Sequence, residues 1–430
     1  MKSKRYSSLL ALLALTLMFV PSASTQANSQ TFGVIENFNG YNGGQLLAGL
    51  IFDKAGNLYG TAAEGGSGYG VVFELSPLKT GSYKETLLYK FGNGGNKDGA
   101  YPAGGLVFDA AGNLYGTTEH GGTSNAGTVF ELSPGSNGWT ETVLHSFGGS
   151  NDGTYPTSRL AIDAAGNLYG TTIQGGLYAR CAYSGSYYSC GTAFELSPVS
   201  GGGWTYKLIH SFGHASDAYF PASGLTLDSS GNLFGECATG GQYGFGTLYE
   251  LSPGPNGTWT EQVVHQWGNG SDGIYPYGEL IFDSAGNLYG TTSQSGIKGH
   301  MGTVFELTPT QSGWVEQNQY YFGINTDGQF PFSGLVLDSQ GNLYGTTHNG
   351  GSQGYGIVYE LTPASGGWTE KILHNLSGGS DGGISSATLA MDAAGNLYGT
   401  AWYGGNAPQC IAGPIPGCGV VFKIVPAAVK

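Results

Sequence analysis

The chain reads as an all-β protein, a seven-bladed β-propeller of four-stranded antiparallel blades, and three observations predict that fold. The phrase Gly56-Asn57-Leu58-Tyr59-Gly60 returns at 112–116, 166–170, 231–235 (with Phe234 for Tyr), 286–290, 341–345 and 395–399, in steps of 56, 54, 65, 55, 55 and 54 residues. A fixed period above about 50 residues marks a closed or stacked repeat rather than independent domains. Glycine supplies 79 of 430 residues, far above the usual ~7 %, and beyond the N-terminal apolar run no segment carries a helical period. The last copy also ends one strand short, while the N-terminal piece 32–38 resembles a lone fourth strand.

The second copy displays the unit. Residues 105–109 (Gly-Leu-Val-Phe-Asp) form a short apolar inner strand, and Asp109-Ala110-Ala111-Gly112-Asn113 is a tight turn. Residues 113–118 form the second strand, 127–132 (Gly-Thr-Val-Phe-Glu-Leu) the third and 139–147 the outermost, separated by Ser133-Pro134-Gly135 and Gly148-Gly149. Four strands in about 55 residues is the size of a propeller blade. In the seventh copy the strands 396–401 and 419–424 are followed by the chain end. Phe38 matches Phe91, Phe147 and Phe212, so pairing 32–38 with the last blade would seal the ring and remove a free sheet edge.

Lys2, Lys4 and Arg5 precede an apolar run from Leu9 to Val20 and small residues to Ala27, the pattern of a secretory signal peptide over 1–27, too short to span a bilayer. Residues 28–430 then form a single propeller domain outside the cytoplasm, and no later stretch is apolar enough for a membrane anchor. Without the three leader cations the chain holds 12 basic against 29 acidic side chains, a balance of −17. Such a field repels phosphate backbones and anionic surfaces, so nucleic acid and polyanionic glycans are not expected partners. Cys181 and Cys190, and Cys410 and Cys418, each bracket an irregular loop and are expected to close it as disulfides; free thiols are the alternative. Cys237 takes a Thr position and reads as a buried, inert thiol.

These phrases resemble the GloVer tandem repeat proteins, secreted bacterial chains built from copies of Asp-x-x-Gly-Asn-Leu-Tyr-Gly-Thr-Thr followed by Gly-Thr-Val-Phe-Glu-Leu. The resemblance covers nearly all of the mature chain. It implies a propeller-like fold, no established activity and no catalytic residues to carry over. Some members carry C-terminal sorting anchors, whereas this chain ends Val425-Pro426-Ala427-Ala428-Val429-Lys430, which favours a soluble secreted or periplasmic form.

Most repeated residues have structural explanations. The aspartates 53, 109, 163, 228, 283, 338 and 392 precede x-x-Gly-Asn, where a carboxylate accepts backbone N–H bonds. Glu74, Glu131, Glu195, Glu250, Glu306 and Glu360 share one third-strand position that is Lys423 in the last copy, which fits a solvated edge. Trp139, Trp204, Trp259, Trp314 and Trp368 open the outer strand and are expected to fill gaps between blades. His145, His210, His265 and His374 share an outer-strand position and would lie too far apart to converge on one ion, so no metal cluster is expected from them. Two Gly-x-Ser-x-Gly matches, at 350–354 and 378–382, lack the strand-to-helix turn of a nucleophile elbow.

In a four-stranded blade the second-to-third loop and the blade-to-blade loop emerge on one side, around the channel, where propellers often carry function. The blade-to-blade loops repeat an acid and an aromatic: Asp98 with Tyr101, Asp152 with Tyr155, Asp217 with Phe220, Asp272 with Tyr275, Asp327 with Phe330, and Asp381 alone. Six carboxylates there would make an acidic funnel for a cation or neutral polar ligand; a turn role is the competing reading. Calcium suits such oxygen-rich turns, although no Asp-x-Asp-x-Asp-Gly spacing occurs, and no other cofactor is indicated. Before the glycine pair stand Glu64, His120, Gln174, Thr239, Gln294, Asn349 and Tyr403, a varied ring suited to a specific site. Trp402 beside Tyr403 is off the Trp register and could stack on a sugar, or pack beneath the Cys410 to Cys418 loop. The long loop from Leu177 through Arg180 to Tyr187 and Tyr188 adds aromatics on that side.

Two functional classes follow. One is a non-catalytic, monomeric binding or scaffold module for a neutral carbohydrate or protein partner. The other is a polysaccharide lyase or glycoside hydrolase using channel-mouth carboxylates.

Overall fold

The computed structural model describes residues 30–427, apart from 93–94, 150, 179–180, 184–185, 189, 215–216, 324–325, 408–409 and 411–416. The leader segment 1–27, Arg180 and the side chains of Tyr187 and Tyr188 lie outside the described residues. Seven antiparallel blades follow one another in the chain. Blade 2 runs through Val107–Phe108, Leu114–Thr118, Thr128–Gly135 and Gly138–Ser146.

Each blade turns on its Asp-x-x-Gly-Asn-Leu-Tyr phrase. In blade 2, Asp109 Oδ1 accepts the N–H groups of Ala111 (2.9 Å) and Asn113 (2.8 Å), while Oδ2 accepts Asn113 Nδ2 (2.8 Å) and the Tyr115 hydroxyl (3.1 Å). Gly112 takes φ +92° in that turn, a conformation costly for any residue with a Cβ. The glycine two residues after Leu serves a different purpose. A Cβ on Gly116 would stand 2.6 Å from Cζ of Phe130, so the third-strand ring lies directly over bare backbone.

Neighbouring blades interlock through aromatic rings and hydroxyls. Phe91 at the end of one outer strand meets Phe130 of the next blade at 5.1 Å, and Phe147 meets Phe194 at 5.2 Å. The outer-strand tryptophans do fill inter-blade gaps: Trp204 stands edge-on to Tyr115 at 5.8 Å and Trp259 to Tyr169 at 5.8 Å. In six blades the first Thr of the Gly-Thr pair, or its equivalent, donates its Oγ1 proton to an inner-strand carbonyl of the next blade, as Thr61 does to Gly104 O and Thr117 to Ser158 O, both 3.1 Å. Blade 4 carries Glu236 at this position.

The ring closes between chain ends. The strand Thr31–Asn37 pairs antiparallel with Val420–Val425, from Thr31 opposite Val425 to Asn37 opposite Val420. Phe38 then lies fully buried against Phe73 of blade 1 at 4.9 Å. The inner strands are shorter than the sequence pattern implies. In blade 3 the inner ladder splits into Gly153–Thr154 and Ala161–Ile162, because Tyr155 and Pro156 between them break the extended backbone. Cys181 and Cys190 are disulfide-bonded, as are Cys410 and Cys418, and Cys237 is free and buried. No helix among the described residues is long and apolar enough to cross a membrane.

Candidate functional site

The two loop families meet at one end of the ring. Every residue preceding the glycine pair, which is Ser295-Gly296 in blade 5, lies opposite a residue of its own blade's entry loop: Glu64 opposite Gly44, His120 opposite Ala100, Gln174 opposite Thr154, Thr239 opposite Tyr219, Gln294 opposite Ile274, Asn349 opposite Gln329 and Tyr403 opposite Gly383. One residue further, the backbone enters the left-handed region in all seven blades, at Gln45, Tyr101, Tyr155, Phe220, Tyr275, Phe330 and Ile384, with φ between 54° and 66°. Such a conformation costs a non-glycine residue roughly 1–3 kcal/mol and persists where its surroundings over-determine it. They do so here: the Tyr101 N–H donates to Tyr69 O of the preceding blade at 2.8 Å, while its carbonyl accepts from Glu119 N of its own blade at 2.9 Å.

This backbone places rings around the mouth. Tyr101, His120 and Tyr155 form an edge-to-face chain with centroid separations of 5.4 and 5.3 Å. Tyr277, Phe332 and His348 form a second at 5.2 and 5.3 Å. Trp402 lies parallel to Tyr403 at 4.9 Å. These rings are half-buried, each with an accessible part. The Nε1 proton of Trp402 and Nδ1 of His120 find no hydrogen-bond partner among the described residues. The Gln45 amide donates to Glu64, and His348 Nδ1 donates to Asn349 Oδ1 at 2.6 Å.

Below the mouth the inner strands enclose a cavity of about 170 Å³, lined by all seven blades. At the position four residues before the turn aspartate stand Gly49, Gly105, Arg159, Gly224, Glu279, Gly334 and Thr388. Only three of these carry a side chain, and two of them, Arg159 of blade 3 and Glu279 of blade 5, reach past Gly224 to pair at 3.4 Å.

The six loop aspartates do not form an open funnel. They turn toward the outer strand and are mostly buried: Asp98, Asp272 and Asp327 are below 9 % exposed. Asp152 accepts from His145 Nε2 (3.1 Å), Asp217 from His210 (3.1 Å), Asp272 from His265 (2.9 Å) and Asp381 from His374 (2.9 Å), while the Tyr89 and Tyr320 hydroxyls donate to Asp98 (2.8 Å) and Asp327 (3.2 Å). Loop N–H groups, such as those of Gly92 and Gly268, add further bonds. A third side chain reaches each seam from the next blade's outer strand, two residues after its opening aromatic. It is Glu141, Tyr206, Glu261, Glu316 or Glu370, and at the closing seam Phe32, which stacks on His374 at 3.6 Å. Blade 7 meets blade 1 in the same way, with Asn42 at the aspartate position donating to Glu85 at 2.9 Å.

Burial and the charge of the facing aspartate push these glutamates up. Burial first, then Asp98, raises Glu141 to about 7, and burial, then Asp327, raises Glu370 to about 8. A carboxyl held above its ordinary 4.5 in the fold contributes most below that value and progressively less as pH climbs toward its folded pKa. Glu370→Gln, which keeps the shape without the acid, is therefore expected to flatten the loss of melting temperature between pH 4.5 and about 8. Equal slopes for wild type and variant would contradict this account.

A model of the Gloeobacter/Verrucomicrobia repeat matches residues 24–180 and 173–412, nearly the whole chain. The chain belongs to this family. No curated protein matches it. Among solved structures it is similar to a protein described as a gluconolactonase (11 % identity, TM-score 0.44, covering 94 % of this chain and 95 % of that one) and to a protein of unknown function from Dyadobacter fermentans (13 %, 0.46, 92 % and 99 %). It is also similar to an oxidoreductase described as a glucose dehydrogenase from Thermus thermophilus (15 %, 0.42, 92 % and 100 %). These likenesses are too distant to bear on activity.

Within the Gloeobacter/Verrucomicrobia repeat, the residues that vary between copies at the mouth are those the sequence singles out, whereas three features escape sequence reading. The third member stands 43 to 54 residues after the aspartate position in six seams, and at the Asp381 seam it is Phe32 near the N-terminus, so only knowledge of the outer-strand register would pair them. Arg159 and Glu279 replace small residues at one inner-strand position, a signal visible once the copies are aligned. The left-handed turn is foreshadowed only by the Pro after each aromatic.

Proposed function

We propose that this protein is a secreted, non-catalytic binding module that takes a neutral carbohydrate at the channel mouth. The observation that carries the reading is the set of half-exposed rings there, with Trp402 stacked on Tyr403. A sugar ring offers C–H faces for stacking on such rings. Glu64, His120, Gln174, Gln294 and Asn349 are varied polar groups beside those rings, able to confer specificity. The net charge favours a neutral over an anionic glycan. Two loop disulfides accord with an oxidising compartment. The lyase or hydrolase alternative relied on Asp98, Asp152, Asp217, Asp272, Asp327 and Asp381, which are engaged at the blade seams.

The test is a neutral-glycan array with the full chain, run beside a reducing-sugar release assay on the glycans retained. Retention without product is expected. Trp402→Ala should weaken binding about fivefold, in line with stacking worth ~1 kcal/mol, without altering the melting temperature by more than a few degrees. Sugar release would replace the module by an enzyme, and unchanged retention by the variant would remove Trp402 from the site.

A further inference from the structure

Two of the seven seams differ from the rest in holding an imidazole and two carboxylates together. Between blades 3 and 4 these are His210, Asp217 and Glu261; between blades 4 and 5 they are His265, Asp272 and Glu316. In each set one donor atom per residue lies within 4.8 Å of the other two. Every other seam lacks at least one member: Tyr89 or Tyr320 stands for the histidine, Tyr206 or Phe32 for the glutamate, and between blades 7 and 1 Glu36 stands for the histidine and Asn42 for the aspartate. Asp217 and Asp272 side chains are each only 6 % exposed. Asp217 Oδ1 is buried and accepts no hydrogen bond from any described residue, and the same holds for Glu261 Oε1 and Glu316 Oε1, a feature they share with Glu85, Glu141 and Glu370 of other seams. Two carboxylates facing one another out of water are unfavourable unless a cation or a proton lies between them.

We propose that these two seams each bind one divalent transition-metal ion of the zinc class, joining blade 4 to both of its neighbours. One nitrogen and two carboxylate oxygens form a three-ligand set that leaves a fourth tetrahedral position for water. Calcium would require six to eight oxygens, more than either seam supplies. The histidine-to-aspartate separations, 3.1 Å for His210 and 2.9 Å for His265, are near the spacing of two ligands on one small ion. The histidines are about one-fifth exposed, at 20 % and 21 %, so an ion can enter from the outer rim. Blade 4 is also the blade whose inter-blade Thr is replaced by Glu236, although Thr226 Oγ1 still donates to Leu280 O of blade 5 at 2.8 Å.

The experiment uses the full chain without an affinity-tag histidine tract, stripped with chelator, equilibrated with zinc sulfate, desalted and assayed for bound metal. Cobalt(II) serves as an optical probe of tetrahedral coordination. Wild type is expected to retain two equivalents and to melt at a higher temperature with zinc than without. Glu261→Gln and Glu316→Gln should each retain one equivalent, and the double variant none. Glu370→Gln, in a seam with no imidazole, should still retain two. Circular dichroism confirms folding, and His210→Gln and His265→Gln repeat the count through another ligand should a glutamate variant fail to fold. Absence of retained metal in wild type, or a count indifferent to these substitutions, overturns the proposal and assigns the seams to proton-sharing alone.

Discussion

Deleting residues 31–38 is expected to cost the protein its cooperative fold or to lower its melting temperature by well over ten degrees. Those residues supply the whole outer strand of blade 7, paired from Thr31 opposite Val425 to Asn37 opposite Val420, together with the fully buried Phe38. Without them the strand Val420–Val425, with Val, Val, Phe and Ile among its six residues, becomes a free and strongly apolar edge. A milder probe is Phe38→Ala, which empties a site packed against Phe73. Truncating a buried phenylalanine costs about 3–5 kcal/mol. Thermal and denaturant melts decide the matter. A deletion variant that melts like wild type, or a Phe38→Ala variant as stable as its parent, would mean that the ring is not sealed by this strand.

Glu236→Thr is expected to act in the opposite direction. Both carboxyl oxygens of Glu236 are fully buried with no hydrogen-bond partner, and burial pushes the group well above its ordinary 4.5. At the same position Thr61, Thr117, Thr171, Thr291, Thr346 and Thr400 each donate to a carbonyl of the next blade. Restoring Thr removes an unsatisfied buried acid, worth about 1–3 kcal/mol, and supplies a hydrogen bond worth about 1 kcal/mol, so a gain of about 2–4 kcal/mol is expected. The gain has a pH signature. The folded state keeps the proton after the unfolded chain releases it, so the native Glu236 destabilises increasingly above pH 4.5 and the benefit of Thr should grow from acid to neutral pH. Melting both proteins at several pH values checks this; a variant no more stable than wild type at neutral pH would show that Glu236 has partners not accounted for.

The contrast between these residues and the mouth shows which kinds of inference sequence permits. Period, turn phrase and the missing strand are one-dimensional signals, and blade number and closure follow from them because each blade buries its faces only against the next. The mouth residues Glu64, His120, Gln174, Gln294, Asn349 and Tyr403 were legible for the same reason: a copy that departs from its siblings does so at a fixed position of a known unit. Asp98 and its equivalents show the opposite case. Their loop belongs to the mouth side, as the topology requires, but a carboxylate's direction is set by competing donors, and the His or Tyr seven to nine residues earlier lies on the outer strand and draws it outward.

What the amino-acid order determined by itself is the unit, its sevenfold recurrence, the turns that end its strands and the pairing of its two ends, since all of these rest on local backbone preference and hydrophobic spacing. Tertiary structure alone decided where side chains of separate blades meet: Arg159 with Glu279 across the channel, Glu261 with Asp217 and Glu316 with Asp272 at the seams, and Glu236 without the bond its siblings make. Those encounters depend on the angle and register between neighbouring sheets, which arise from packing of whole faces, so a departure such as Arg159 or Glu236 can be seen in the sequence while its partner cannot.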